Sequence, residues 1–181
     1  MGFILLGLSA PLLANDDTRS SIALVEPTMD RNNGLLELSA GVNFNPGAEP
    51  LEALENGVAL VIALQGRASR IHWLIAREKY RETRLFEIRY LPFSRHYQLT
   101  DLGSGERETF PRLSMVFDDL RRPRTLVPGL DADEAEAGSW QVQVRVYLDI
   151  TRLPSPMRLP AWFSRDWRLS SRWHTWRFEV Q

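Results

Sequence analysis

The pattern of apolar and polar residues predicts a chain built mainly from β-strands. Residues 139–151 read SWQVQVRVYLDIT, in which every second side chain from Trp140 to Ile150 is apolar. Residues 35–44, LLELSAGVNF, alternate in the same way. Successive side chains of a strand point to opposite faces, so each stretch offers one face to a core and the other to solvent.

Weaker strand signals fill much of the remaining chain. Residues 21–27 (SIALVEP) are predicted to pair with residues 35–44 across Asn33-Gly34, because this dipeptide tolerates the positive φ angles of a tight hairpin turn. Residues 57–64 (GVALVIAL) are apolar on both faces, which predicts a central strand that is covered on both sides. The sequence also predicts two separate strands over 69–81 and 83–91, a turn at Pro92–Arg95 followed by a short strand, and a final strand over 172–180.

Two short helices are predicted to interrupt the strands. In residues 49–57 (EPLEALENG), Pro50 suits the first turn of a helix. In residues 109–123 (TFPRLSMVFDDLRRP), apolar residues recur with the three- and four-residue spacing of one helix side. Thr109 is predicted to cap this second helix, with Pro111 in its first turn.

Short sequential strands with turn signals between them are typical of an antiparallel sheet folded into a sandwich. We therefore predict a mainly β fold: an antiparallel, β-sandwich-like domain with two short helices, formed by residues 15–181 as a single unit. The 181-residue chain is 44% hydrophobic and 25% charged, so it can bury a core without a metal or a disulfide. The acidic residues 131–138 (DADEAEAG) are predicted to form a solvated loop.

The first fourteen residues, MGFILLGLSAPLLA, form an apolar, uncharged run that is too short to span a bilayer. This run has the length of a signal-peptide hydrophobic region, although the usual positive residues do not precede it. We therefore predict that residues 1–14 are a signal peptide and that the mature protein is exported to the periplasm. No other apolar run reaches about 18 residues, which predicts a mature chain without a transmembrane span.

Composition and motifs argue against several classes of function. The formal net charge is −1, which gives no overall attraction to nucleic acid, and the absence of cysteine excludes a thiol nucleophile. The sequence contains no G-x-S-x-G elbow, no G-x-G-x-x-G fingerprint and no P-loop. His72, His96 and His174 stand far apart in the chain, so no zinc site is predicted. We predict no catalytic residue, no cofactor and no bound metal, although the 23 acidic residues leave a pair of catalytic carboxylates open.

Aromatic and basic residues are concentrated near the carboxyl terminus. Four of the six tryptophans lie there: Trp162, Trp167, Trp173 and Trp176. Periodicity places Trp176 on a core-facing side, and Trp167 is predicted to close the end of the sandwich. Exposed tryptophan and arginine are common in interaction hot spots, so the candidate interaction surface comprises Trp162, Arg165, Arg172, Trp173 and Arg177. A linear groove beside Trp173 would favour a glycan ligand, whereas a flat apolar patch with an arginine rim would favour a protein partner.

The chain resembles the proteobacterial family called domain of unknown function 4390 over roughly residues 20–180. The resemblance rests on LEALENGVALVIAL, on the hairpin FEIRYLPFSRHYQL, on the strand exit LDITRLPSP and above all on the closing DWRLSSRWHTW. It implies an exported periplasmic protein of Gram-negative bacteria, often encoded beside a membrane sensor histidine kinase. No catalytic residue follows from the resemblance, because the family has none established.

These observations together predict a non-enzymatic periplasmic binding or accessory protein, linked to envelope sensing by a membrane histidine kinase. A glycan-binding module or cryptic hydrolase that acts on cell-wall polysaccharide is the first alternative. A structural envelope protein is the second. The sequence leaves the ligand, the partner and the oligomeric state open.

Overall fold

A computed structural model describes residues 20–32, 34–73, 75–131 and 135–180 of the chain. The strands in these residues are β1 Ser21–Asn32, β2 Leu35–Asn45, β3 Leu60–His72, β4 Ile75–Leu91, β5 His96–Asp101, β6 Arg107–Phe110, β7 Arg124–Leu126, β8 Gly138–Leu148 and β9 His174–Val180. The helices are α1 Ala48–Glu55, α2 Leu113–Leu120 and α3 Ser155–Phe163, and a short 3-10 helix covers Ile150–Arg152 after β8.

The strands form two antiparallel sheets that pack face to face. The small sheet has the strand order β1-β2-β7, and the large sheet has the order β6-β5-β4-β3-β8-β9. The two sheets approach closely at Gly66 of β3, where a Cβ atom would lie 2.9 Å from the side chain of Leu38 in β2. The prediction of a mainly β, antiparallel fold is confirmed.

The strands predicted most strongly supply much of the core. β3 is a central strand of the large sheet, as predicted for residues 57–64, and its side chains are buried on both faces from Leu60 to Gln65. In β8 the alternate residues from Trp140 to Leu148 are buried, whereas Arg145 and Tyr147 on the other face are half-buried. β2 shows the same predicted alternation, because its apolar face packs into the core.

The hairpins confirm one prediction and overturn another. β1 pairs with β2 as predicted, with Asn32 opposite Leu35 in the register; Asn33 lies outside the described residues. The prediction of separate strands over 69–81 and 83–91 is wrong, because β3 continues to His72 and β4 runs without interruption from Ile75. No glycine, proline or asparagine marks this reversal in the sequence, so the strand pattern continues through it and conceals the turn.

The two predicted helices are present as α1 and α2, but one predicted cap is wrong. α2 begins at Leu113, whereas Thr109 lies in β6 and pairs with Gln98 of β5. The sequence does not predict α3, because Pro156 and Pro160 lie within it and proline usually marks the end of a helix.

None of the described helices is both long and apolar enough to cross a membrane. The predicted signal peptide, residues 1–14, lies outside the described residues. Residues 132–134 of the predicted acidic loop lie outside them as well, while Glu136 in the same loop forms an ion pair with Arg70 of β3.

A buried carboxylate joins β4 to the end of β5. Asp101 accepts a hydrogen bond from Arg84 of β4, and its carboxylate also accepts the backbone N–H groups of Gly103 and Ser104. Burial acts to raise the pKa of Asp101, but the hydrogen bonds from Arg84 and from the two backbone groups outweigh it and lower the pKa. The turn between β5 and β6 therefore depends on a charged Asp101.

Asp101→Asn should destabilise the protein at neutral pH, because it removes the negative charge that these donors bind. Hydrogen bonds to a charged group contribute about 1.5–3 kcal/mol, and we expect a total loss of about 2 kcal/mol. Folding lowers the pKa of Asp101, so its stabilising effect is present above the pKa of an unfolded aspartate and is lost as the pH falls through the folded-state pKa.

Urea denaturation at neutral and acidic pH measures the difference in the free energy of unfolding between Asp101→Asn and the unaltered protein. This difference should become smaller as the pH is lowered. Asp118→Asn is the control, because Asp118 is an exposed carboxylate in α2 whose side chain pairs only with the exposed Arg121 three residues on, among the described residues. A difference between Asp101→Asn and the unaltered protein that stays constant with pH would contradict the expected role of the Asp101 charge.

Candidate interaction surfaces

The outward side of α3 carries a cluster of exposed apolar side chains. Leu159, Trp162 and Phe163 are spaced three and four residues apart, so they share one side of the helix. Their exposed fractions are 73%, 59% and 84%. We call these three residues, together with the exposed Arg158 and Arg165, the α3 surface.

Positive charge is concentrated in the part of the chain that contains the α3 surface. Residues 152–177 contain six arginines and a single carboxylate, that of Asp166, which gives this segment a net charge of +5. The remaining residues carry −6, since the whole chain has −1. Asp166 is partly buried and accepts a hydrogen bond from Ser20. The α3 surface therefore combines apolar side chains with positive charge in a chain that is otherwise acidic on balance.

Trp173 lies just before β9, on the outer face of the large sheet, among polar side chains of β3 and β8. The guanidinium carbons of Arg67 and Arg145 lie 4.0 and 4.5 Å from the centre of its ring, which is within the range of cation–π attraction. Arg145 donates a 3.0 Å hydrogen bond to Gln65, and Arg67 donates a 2.9 Å hydrogen bond to Gln143. We call these five residues the Trp173 cluster.

The Trp173 cluster is positively charged, and its side chains contact one another. Burial lowers the pKa of Arg67, Glu78 opposes this effect, and the neighbouring Arg145 adds to it. Gln143 also donates a 2.9 Å hydrogen bond to Thr175 of β9, so the cluster connects three adjacent strands. These contacts hold the half-buried indole of Trp173 against the sheet.

A groove runs beside Trp173, between the edge strand β1 and the segment that leads into β9. Its volume is about 530 Å³. It is lined by Ile22, Ala23, Leu24 and Pro27 of β1 and by Ser170, Ser171, Arg172, Trp173 and His174. We call it the Trp173 groove. Its lining combines apolar side chains with hydroxyl groups and a permanent cation.

The structure divides the predicted interaction surface among three places. Trp162 and Arg165 belong to the α3 surface. Arg172 and Trp173 line the Trp173 groove, and Arg177 is exposed on β9. The molecule thus contains an open depression beside Trp173 and, separately, an exposed apolar patch on α3.

The remaining carboxyl-terminal tryptophans contribute to the core, as predicted. Trp167 is buried, and the partly buried Trp176 packs against the core. Leu159 and Phe163 are absent from the predicted surface, although their spacing from Trp162 is that of one helix side.

Arg67 and Arg145 are also absent from the predicted surface. No local pattern indicates that β3 and β8 set them beside Trp173, because this contact depends on the strand order of the large sheet.

Histidines and carboxylates are dispersed over the structure. His72 lies in β3, His96 in β5 and His174 in β9. Within the described ranges, no group of three or more histidine, aspartate and glutamate side chains is placed to hold a metal ion.

A family model described as a domain of unknown function (DUF4390) matches residues 19–177. No curated protein and no solved structure matches the chain. Because the family match extends over nearly the whole sequence, the chain belongs to the DUF4390 family.

Proposed function

We propose that the protein is a non-enzymatic binding or accessory module of the bacterial envelope, which offers the α3 surface to a protein partner. The observation that carries this proposal is the joint exposure of Leu159, Trp162 and Phe163 on one side of a helix. Contact between water and exposed apolar groups of this size is unfavourable in free energy. A partner that buries them fully would gain about 1.5–3 kcal/mol for each side chain.

The surroundings of the apolar cluster indicate what kind of partner fits. Protein interfaces combine an apolar centre with a polar rim, and tryptophan and arginine are enriched among their hot spots. The exposed Arg158 in α3 and the exposed Arg165, two residues after its end, supply positive charge in the same stretch of the chain. The proposed partner therefore carries an apolar patch bordered by acidic residues.

The first partner to test is the extracytoplasmic domain of a membrane sensor histidine kinase. The resemblance described above associates such kinases with proteins of this kind through neighbouring genes. The proposal includes export to the periplasm, directed by residues 1–14, because only there would the two proteins meet.

Trp162→Ala combined with Phe163→Ala should weaken binding to this kinase domain by roughly a thousand-fold, because each hot-spot truncation costs about 2 kcal/mol or more and the two together cost about 4 kcal/mol. Arg158→Glu combined with Arg165→Glu should mainly slow association and reduce its dependence on salt. Biolayer interferometry with the purified kinase domain measures both the rates and the dissociation constant.

Trp73→Ala is the matched control for these variants. Trp73 is an even more exposed tryptophan, but it lies in the turn between β3 and β4. Its replacement should leave the dissociation constant unchanged. Equal losses in this control and in the α3 variants would contradict the proposal, as would an unaltered protein that does not bind.

The Trp173 groove favours glycan binding as a second candidate function. Its volume of about 530 Å³ falls within the range of about 300–1,000 Å³ that is usual for ligand sites. The hydroxyl groups and the cation of the lining suit a polyhydroxylated chain. The described lining contains no pair of carboxylates, which glycoside hydrolysis would require, so it favours binding over cleavage. Addition of soluble peptidoglycan fragments tests this candidate, and an unaltered tryptophan fluorescence spectrum would exclude it.

A further inference from the structure

The hairpin that joins β3 to β4 ends in an exposed, basic turn. We define the hairpin tip as Arg70, His72, Trp73, Ile75, Arg77 and Lys79. Among the described residues of the turn, the large apolar side chains of Trp73 and Ile75 are strongly exposed, to 89% and 65%.

Trp73 has a backbone conformation that a bulky side chain rarely adopts. Its φ angle of 59° lies in the left-handed region, which favours glycine and asparagine. Its indole contributes little to the core, because most of its surface is exposed. A residue that has a strained backbone and contributes little to stability points to a role in contact with another molecule.

Basic side chains converge on one face of the hairpin, directly behind this turn. Arg70, His72, Arg77 and Lys79 line a cleft of about 240 Å³ together with Ile75. The register places Arg70 directly opposite Arg77. Like charges in this position destabilise a strand pair, so an anion bound in the cleft would relieve their repulsion.

The protein compensates this charge only in part. Arg70 pairs with Glu136, but among the residues that the structure describes no carboxylate forms an ion pair with Arg77 or Lys79. The other directly opposed arginines of the same hairpin differ: Arg67 and Arg81 both form ion pairs with Glu78. The excess positive charge is therefore a property of the tip and not of the whole hairpin.

We propose that the hairpin tip docks on the surface of an anionic phospholipid bilayer. The cations of the cleft bind phosphate groups of the lipids, while Trp73 and Ile75 enter the interfacial region, where tryptophan is favoured. A bilayer fits the tip better than a protein partner does, because a stable protein interface needs about 800 Å² from each side. Membrane contact needs only a few side chains at a projecting end.

The place of the tip in the fold suits this role. Ile62 of β3 lies opposite Leu148, at the end of β8 that leads towards α3, whereas His72 ends β3 at the tip. The ten residue-to-residue steps from Ile62 to His72 span about 33 Å of extended strand. The tip can therefore contact a bilayer while the α3 surface stays free, and the membrane proposal does not depend on what α3 binds.

Cosedimentation with lipid vesicles tests the proposal. The sample is the protein as it is purified from the cells that produce it. Vesicles of phosphatidylcholine mixed with phosphatidylglycerol should bind the protein, and vesicles of phosphatidylcholine alone should bind it much more weakly. Arg77→Glu should lower the partition coefficient about thirty-fold, because each cation near an anionic surface contributes about five-fold and the reversal also adds repulsion. Trp73→Ala should lower it several-fold.

Two matched controls and a second readout separate docking at the tip from general attraction. Phe93→Ala removes a fully exposed aromatic side chain from another turn, and Arg107→Glu reverses an exposed cation in β6; both variants should bind like the unaltered protein. Anionic vesicles should also shift the tryptophan fluorescence to shorter wavelength, and Trp73→Phe should lose this shift while it retains binding.

Several outcomes would overturn the membrane proposal. They are equal binding to the neutral and anionic vesicles, an absence of binding to the anionic vesicles, undiminished binding by Arg77→Glu, and control variants that lose as much binding as the tip variants do.

Discussion

Trp167→Ala should lower the free energy of unfolding by about 3–5 kcal/mol, the range found when a buried tryptophan is truncated. Trp167 is only 4% exposed and belongs to the core cluster. It lines the same surface depression as Ala53 of α1 and Met157 of α3. Its removal leaves a cavity in the core cluster, and the surrounding backbone cannot close such a cavity completely.

Urea denaturation followed by far-ultraviolet circular dichroism measures this loss without relying on tryptophan fluorescence. Trp162→Ala is the matched control, because it makes the same chemical change five residues earlier on an exposed side of α3. Its effect should stay within about 0.5 kcal/mol, as is usual for surface positions. Similar losses for both variants would show that the two indoles do not differ in burial as described.

Gly41→Ala should destabilise the protein by about 3 kcal/mol or more, at the upper end of the cost of overpacking a core. A Cβ atom on Gly41 in β2 would lie 2.0 Å from the backbone oxygen of Arg121 and 2.7 Å from its carbonyl carbon. Backbone atoms cannot rotate away as a side-chain end can. Arg121, which caps the carboxyl end of α2, would therefore have to move away from the small sheet, and core contacts of Val116 and Leu120 in α2 would loosen with it.

Thermal and urea denaturation measure the effect of Gly41→Ala. Gly103→Ala is the control, because a Cβ atom there would meet only a side-chain oxygen of Asp101, at 3.3 Å. Gly103→Ala should therefore cost much less than Gly41→Ala. A Gly41→Ala protein with unchanged stability would contradict the close approach of α2 to β2.

Local patterns in the sequence predicted those strands and helices that have one face in the core and the other face towards solvent. The alternation in residues 35–44 and 139–151 corresponds to β2 and β8, because each strand has one face in the core. The prediction that Trp167 closes the end of the sandwich is also consistent with its burial, although it did not come from alternation. Pattern reasoning did not find the turn after His72 or the helix α3, because ordinary turn and helix signals are missing at the first and prolines interrupt the second.

The sequence by itself determined the fold class and the two regular helices. These follow from periodicity and from local conformational preference, which each segment carries on its own. Only the tertiary structure decided which distant residues meet. It placed Arg67 and Arg145 on Trp173, set Arg70 opposite Arg77, and separated Trp162 from Trp173. Such contacts arise from strand order and register, which no short stretch of the chain encodes, because they are fixed only when the two sheets close over their shared core.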